Sequence, residues 1–189
     1  VNTVVGTIND IKWIREELHK RGMKLMLDFV PNHSAFEAPE LKSTPNFYIR
    51  AKPQTELDPN RFNADGIAYG REYESQSAWT DVAQYNYFDL DFRKHQIDVL
   101  KFIGSVADGA RCDMAHCVMN DAFQRCWSEE LAAWGYSKPS TEFWIEAIQA
   151  VKALYPDFKF LAESYHDNEA ALIGMGFDYA YDKIPYDSL

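Results

Sequence analysis

Apolar and polar positions at the start of the chain follow a helical period and then give way to a short apolar run. Over residues 7–21, apolar side chains recur every three or four positions. Thr7 with Asp10 is typical of a helix start, and Gly22 indicates its end. The segment MKLMLDFV (23–30) follows directly. An almost continuous apolar run of this length predicts a strand buried on both faces of a parallel sheet.

The same order of helix and strand recurs along the chain. Ser140 and Thr141 are typical of a second helix start, and Pro156 of a stop. Helical periods cover residues 93–107, 140–155 and 168–175, and the short strands that follow them cover 109–113, 158–163 and 179–181. Successive helix-then-strand units predict an α/β fold with a parallel sheet.

A stretch rich in Pro, Asn, Gly and aromatic residues, 34–80, separates the first two units. Structureless loops of this length are uncommon inside a compact domain, so we predict a small inserted subdomain or lid there. The sequence thus divides into a helix and strand over 1–33, the insertion over 34–80, and the remaining units over 81–189.

Composition excludes several classes of protein. The chain has 189 residues, 47% of them hydrophobic, which excludes a disordered protein, and its formal charge of −10 disfavours nucleic-acid binding. No apolar run approaches the roughly 18 residues that span a bilayer, so no membrane partner is expected. Three cysteines without a repeated spacing fit a reducing compartment, and we expect the cytoplasm. The first residue, Val1, suggests a piece of a larger protein.

An acidic residue falls at the carboxyl end of each of the first three predicted strands. These residues are Asp28, Asp113 and Glu163. Loops beyond the carboxyl ends of parallel strands build the active sites of βα folds, whether the sheet is open or closed into a barrel. We therefore expect the three carboxylates to converge at one edge of the sheet.

The segment GARCDMAHC (109–117) also raises the possibility of a metal site. Cys112 alternates with Arg111 and Asp113 along its strand, so it should face away from the site and into packing. The sequence offers no second ligand pair of the C-x-x-C or H-x-x-x-H type, which disfavours zinc and predicts no metal. The zinc ligand set considered and set aside was Cys112, His116, Cys117 and Cys126.

Four segments together resemble the alpha-amylase superfamily of retaining glycosidases and transglycosylases. DFVPNH (28–33), GARCDMAH (109–116) and LAES (161–164) are similar, in this order, to three of its four short signature regions, and WTDVAQYNY (79–87) to the stretch before its third barrel helix. The resemblance implies part of a TIM barrel, about strands 3 to 6, with the insertion after the first strand of this chain. The fourth region has no counterpart before Leu189.

The resemblance also implies a role for each site residue. Asp113 matches the catalytic nucleophile, Glu163 the general acid/base and Arg111 the arginine beside the nucleophile. The residues matched to substrate binding or to support of the site are His33, His116, Asp28 and Asn32, and His116 stands where the family often has lysine. Calcium is a family possibility through Asn32, but no calcium loop is recognisable, so no cofactor is predicted.

Cleavage of an acetal with retention requires two carboxyls about 5–5.5 Å apart, one ionised and one protonated. Arg111, on the same strand face as Asp113, is expected to keep Asp113 ionised. The apolar residues before Glu163 are expected to raise its pKa toward about 6. The implied function is hydrolysis or transfer of alpha-glucosidic bonds in an alpha-glucan or oligosaccharide by double displacement.

Two rival functions remain open at this stage. One is a carbohydrate-binding or scaffold protein that has the fold without the chemistry, and the other is a metal-dependent hydrolase on the same barrel. The first strand lacks the H-x-H pair that would favour the second rival. We expect the third carboxylate of the family beyond Leu189, so this chain, expressed alone, should cleave no glucan. We also expect it to be prone to aggregation, because the sheet of a partial barrel has unpaired edges.

Overall fold

The computed structural model describes Val4 and residues 6–73, 77–165 and 167–181, so residues 182–189 of the third predicted part lie outside it. Its helices are α1 (Ile8–His19), α2 (Glu40–Ser43), α3 (Leu90–Val106), α4 (Asn120–Ala133), α5 (Phe143–Lys152) and α6 (Glu169–Gly174). Its strands are β1 (Met26–Phe29), β2 (His33–Ala35), β3 (Tyr69–Gly70), β4 (Trp79–Gln84), β5 (Gly109–Cys112), β6 (Lys159–Ala162) and β7 (Tyr179–Ala180).

The helix-then-strand units form a four-stranded parallel sheet in the order β1-β5-β6-β7. Alternate residues Ala110 and Cys112 on β5, with Phe160 on β6, are fully buried in the core that includes side chains of α3 and α5. The predicted α/β class and parallel pairing are confirmed. The burial of 23–30 on both faces was wrong, because Met26 and Asp28 on β1 are exposed on the face opposite the helices.

A second sheet lies between the first two units of the chain. Strands β2, β4 and β3 pair antiparallel in that order, with His33 opposite Gln84 at the end nearest β1. Tyr48, Ile67 and Ala83 form a small buried cluster of their own against this sheet. The described part of the region between β1 and α3 thus contains a sheet and a small cluster of its own, and it also packs into the main core through Ile49, Phe62 and Ala68. Its last strand runs to Gln84.

The observed starts of α1 and α5 show which sequence signals were sufficient to predict where a helix begins. The Thr7 hydroxyl accepts from the Asp10 N–H and the Asp10 carboxylate accepts from the Thr7 N–H, which confirms the predicted start of α1. Helix α5 begins after Glu142, so the predicted start at Ser140 and Thr141 was wrong. The Thr141 carbonyl instead accepts from Arg93 and Asn120, and this fixes the loop before the helix.

Gly109 begins β5 at a point of close approach between three strands. A Cβ atom there would lie 2.7 Å from the Lys159 carbonyl oxygen on β6 and 2.9 Å from the Met26 side chain on β1. Because the first of these neighbours is backbone, it cannot move aside cheaply. Glycine at this position therefore permits the pairing of β1 with β5 that places Arg111 opposite Asp28, two residues further along the strands.

Asp108, directly before β5, ties α1 to the sheet. Its carboxylate accepts from Arg15 Nη2 at 2.8 Å, from the Leu25 N–H at 2.9 Å and lies 2.7 Å from His19 Nε2. Partial burial acts to raise the pKa of Asp108, but these partners outweigh it and lower the pKa to about 2.

Asp108→Asn is expected to remove acid-sensitive stability. A carboxyl with a depressed folded-state pKa stabilises the protein above its unfolded-state pKa of about 3.9, and this contribution is lost as the pH falls to about 2. The wild-type free energy of unfolding should thus fall by up to about 2 kcal/mol between pH 5 and pH 2 from this group, and the variant should lack that component. Urea unfolding at each pH measures it. Asp157→Asn, at an exposed aspartate, is the control.

Candidate active site

The parallel ladder places the predicted catalytic carboxylates side by side. The Asp113 N–H donates to the Phe29 carbonyl at the end of β1, and the Glu163 N–H donates to the Cys112 carbonyl at the end of β5, each at 2.9 Å. Both residues therefore stand one position beyond their strands, held by backbone bonds that continue the sheet. Their side chains emerge at its carboxyl edge.

Arg111 joins the three strand-end carboxylates. Its Nη1 atom lies 2.6 Å from Asp113 Oδ1 and 3.1 Å from Asp28 Oδ1, and its Nη2 atom lies 2.8 Å from Glu163 Oε2. Its Nε–H donates to the Tyr181 hydroxyl at 3.1 Å. One guanidinium thus gathers the acidic residues of three strands, and the convergence that the strand pattern predicted is present in the structure.

Glu163 accepts hydrogen bonds that favour its ionised form. The Met114 N–H donates to Oε2 and the Tyr165 hydroxyl donates to Oε1, each at 2.8 Å. Partial burial acts to raise the pKa of Glu163, but these donors and Arg111 outweigh it, and the pKa lies below its usual value. The expected rise in the pKa of Glu163 was therefore wrong for the sugar-free site.

Asp113 shows the opposite shift. Partial burial raises its pKa, the negative charge of Glu163 adds to the rise, and Arg111 does not cancel them. The expected lowering of the Asp113 pKa by Arg111 is therefore outweighed, and the predicted direction of the shift was wrong. The side chains of Asp113 and Glu163 also interact directly, which raises the pKa of Asp113 and lowers that of Glu163, so the two groups titrate as a linked pair.

His33 lies at the start of β2, beside the carboxylates. Its ring packs edge-on against Trp79, with the ring centroids 5.4 Å apart. Burial lowers the pKa of His33, against the opposing charges of Asp113 and Asp81, so the imidazole is neutral at neutral pH. Within the described part of the chain its buried Nδ1 atom contacts no hydrogen-bonding partner, which suits a site for a polar ligand.

Asn32 is buried in an amide pair with Gln84. Gln84 Nε2 donates to Asn32 Oδ1 at 2.9 Å and to the Asn32 carbonyl at 2.9 Å, and Asn32 Nδ2 donates back to Gln84 Oε1 at 3.3 Å. The pair links the segment after β1 to β4 and so holds in place the chain that carries His33.

His116 lies inside the protein instead of facing the open edge. Its Nε2 atom is 3.3 Å from Glu72 Oε2 and 3.7 Å from Cys117 Sγ, and its ring meets that of Tyr165 edge-on at 5.8 Å. Both His116 and Cys117 are buried. The geometry thus gives His116 contacts within the protein, whereas the sequence predicted contact with substrate.

Several residues around the site were missed by sequence reasoning. Tyr165 stands two positions after Glu163 and beyond the end of β6, so strand alternation gave no signal for it. Met114 acts through its backbone, in a left-handed conformation with φ of 44° that only the fold reveals. Glu72 and Tyr181 come from distant segments, and no local pattern marks them.

The parallel sheet, the insertion after its first strand and the arginine-centred carboxylates define an α/β protein with its site at the carboxyl ends of the strands. Residues 1–176 match the family model described as alpha amylase, catalytic domain. The chain belongs to the alpha-amylase family. This membership confirms the predicted resemblance and the predicted fold class, part of a TIM barrel.

The chain spans less than half the length of each of the following similar proteins. It is 30% identical to alpha-amylase MalA of Haloarcula japonica over 116 residues, covering 61% of this chain and 16% of that protein. It is 27% identical to a cyclomaltodextrinase of Geobacillus thermopakistaniensis over 185 residues, covering 92% and 26%. A crystal structure of an alpha-amylase from Lactobacillus plantarum superposes with a TM-score of 0.68 at 25% identity, covering 97% and 38%.

Proposed function

We propose that the protein carrying this chain cleaves or transfers alpha-glucosidic bonds with retention of configuration. The observation that carries the proposal is the position of Asp113 and Glu163 on adjacent strand ends, bridged by Arg111. Membership of the alpha-amylase family and the names of the similar amylase and cyclomaltodextrinase support an alpha-glucan or maltooligosaccharide as the substrate.

The proposed reaction proceeds in two displacements. The Asp113 carboxylate attacks the anomeric carbon while Glu163 gives its proton to the leaving oxygen, which forms a glycosyl ester and frees one sugar product. Glu163 then takes a proton from water or from an acceptor sugar, whose oxygen displaces Asp113 from the anomeric carbon. His33 and Asp28 would contact the sugar ring, and the Asn32–Gln84 pair would hold the segment that carries His33.

The reaction needs Asp113 ionised and Glu163 protonated, whereas the pKa of Asp113 is raised and that of Glu163 is lowered. A sugar ring between the two carboxyls would separate their charges and leave Arg111 on Asp113, its shortest partner. Substrate binding would then lower the pKa of Asp113, because Asp113 would keep the adjacent cation and lose the adjacent negative charge.

We also propose a cytoplasmic location. Cys112, Cys117 and Cys126 are all free thiols in the structure, which fits a reducing compartment. No helix in the described ranges combines the length and apolar character needed to cross a membrane.

The nucleophile can be tested by covalent trapping in the protein as it occurs naturally. A 5-fluoro-α-glucosyl fluoride should add one glycosyl group per chain, because the 5-fluorine slows both steps while the anomeric fluoride leaves easily enough for the ester to form and accumulate. Peptide mapping by mass spectrometry should place the label on Asp113, and Asp113→Asn should take up none. A label on Glu163, or steady glucan turnover without any label, would contradict the assignment. Sugar binding with neither turnover nor label would support the carbohydrate-binding rival.

A further inference from the structure

Three side chains of residue types that bind metals lie close together beside the catalytic pair, and they take no part in the proposed reaction. Among the described residues, Glu72, His116 and Cys117 are the one group whose His, Cys and carboxylate ligand atoms all lie within 4.8 Å of one another. Glu72 comes from the segment between β3 and β4, while His116 and Cys117 belong to the 3-10 helix Ala115–Val118 after β5.

Two of the three separations between the ligand atoms match the edges of a tetrahedron around zinc, and the third lies within 4.8 Å. With Zn–N and Zn–O bonds of about 2.0–2.2 Å and a Zn–S bond of about 2.3 Å, neighbouring ligand atoms stand about 3.4 Å apart for N and O and about 3.6 Å for N and S. The corresponding separations here are 3.3 Å from His116 Nε2 to Glu72 Oε2 and 3.7 Å from His116 Nε2 to Cys117 Sγ.

Hydrogen bonds alone do not account well for the two contacts of the His116 Nε2 atom. The same nitrogen, Nε2 of His116, faces both the Glu72 carboxylate and the Cys117 sulfur, and its one proton can serve only one of them well. A metal ion would instead use a lone pair from each of the three atoms at once. Sulfur and imidazole ligands favour zinc over calcium or magnesium.

We propose that Glu72, His116 and Cys117 bind one Zn²⁺ ion. Cys117 binds as a thiolate after releasing its proton to solvent, His116 binds through neutral Nε2, Glu72 binds through a carboxylate oxygen, and water completes the tetrahedron. The ion connects the inserted unit to the turn that follows the nucleophile strand. Its role is to fix Glu72 against this turn, and it takes no part in bond cleavage.

Cobalt provides a direct spectroscopic test. The naturally occurring protein, stripped with a chelator and kept reduced, is titrated with Co²⁺ and then with Zn²⁺. One equivalent of Co²⁺ should give visible bands of tetrahedral cobalt and a near-ultraviolet thiolate-to-cobalt band, and one equivalent of Zn²⁺ should abolish both. Thermal unfolding should shift to higher temperature with Zn²⁺, because the ion binds the folded state.

Variants identify the ligands. Cys117→Ser should remove the thiolate band. Loss of a residue that only hydrogen-bonds to a metal ligand weakens metal binding by about 10- to 100-fold, and Glu72→Gln, which removes a ligand, should weaken Zn²⁺ binding by more than that. Glu72→Gln changes a partly exposed side chain, so it tests the site even if Cys117→Ser does not fold. Cys126→Ser, at a half-buried thiol outside the group, is the matched control and should bind normally. Absence of stoichiometric binding, or an equal loss in Cys126→Ser, would overturn the proposal.

Discussion

Asp113→Asn is expected to lower kcat on maltooligosaccharides by about 10⁴-fold or more and to leave the Kd for sugar within a few-fold of wild type. The amide has nearly the shape of the carboxylate, and its oxygen can still accept from Arg111 Nη1. It cannot form the glycosyl ester, so the double displacement stops at its first step. Single-turnover kinetics and calorimetric titration of sugar into the variant measure the two quantities separately.

A surface variant separates this effect from loss of folding. Asp98→Asn removes an exposed aspartate of α3 whose one ion pair among the described residues is with Lys101, one turn along the helix, so it should retain wild-type turnover. Comparable activity in Asp113→Asn and Asp98→Asn would reject Asp113 as the nucleophile. A large fall in both would instead indicate that activity depends on charge in general.

The convergence of the site was predictable because it depends on strand order and the period of the strand. Asp28, Asp113 and Glu163 each end or follow a short apolar run, and parallel pairing must bring such positions to one edge. The same alternation placed Cys112 in the core, where it is fully buried. These are properties of the backbone pattern, and a sequence carries that pattern directly.

The protonation states were not predictable because they depend on contacts across the fold. Local reasoning saw only the apolar residues before Glu163, but its pKa is lowered by the Met114 N–H, the Tyr165 hydroxyl and Arg111. The Met114 N–H reaches Glu163 across 49 positions of sequence. Glu72, 44 positions from His116, was invisible in the same way, so a search for local Cys and His pairs could not find the ligand set proposed above.

Helix α4 was not predicted from the sequence, for a different reason. Phe123, Trp127 and Leu131 recur at a spacing of four residues and are buried on one face, so its period was present in the sequence. Its start was not recognisable, because Met119 precedes it with no side-chain cap. The Asn120 N–H is instead satisfied by the Glu142 carboxylate from the loop before α5. A cap supplied from a distant segment leaves no local signal.

Glu163→Gln is expected to lower kcat on unactivated oligosaccharides by about 10³-fold or more, because the leaving oxygen then departs without a proton. The first-turnover release of fluoride from α-glucosyl fluoride should change little, since that leaving group needs no acid. A similar loss with both substrates would assign the acid elsewhere.

The pH profile of kcat/KM tests the coupling of the pair in the same variant. The wild-type profile should be bell-shaped, with activity limited to the singly protonated pair. In Glu163→Gln the alkaline limb should vanish, because no acid remains to lose its proton. The acid limb should move to lower pH, since the negative charge that raises the pKa of Asp113 is gone. Tyr165→Phe removes a donor to the Glu163 carboxylate, so it should keep both limbs and shift the alkaline limb to higher pH. An acid limb unmoved in Glu163→Gln would show that the two carboxyls titrate independently, and the short Arg111 bridge would then position them without coupling their charges.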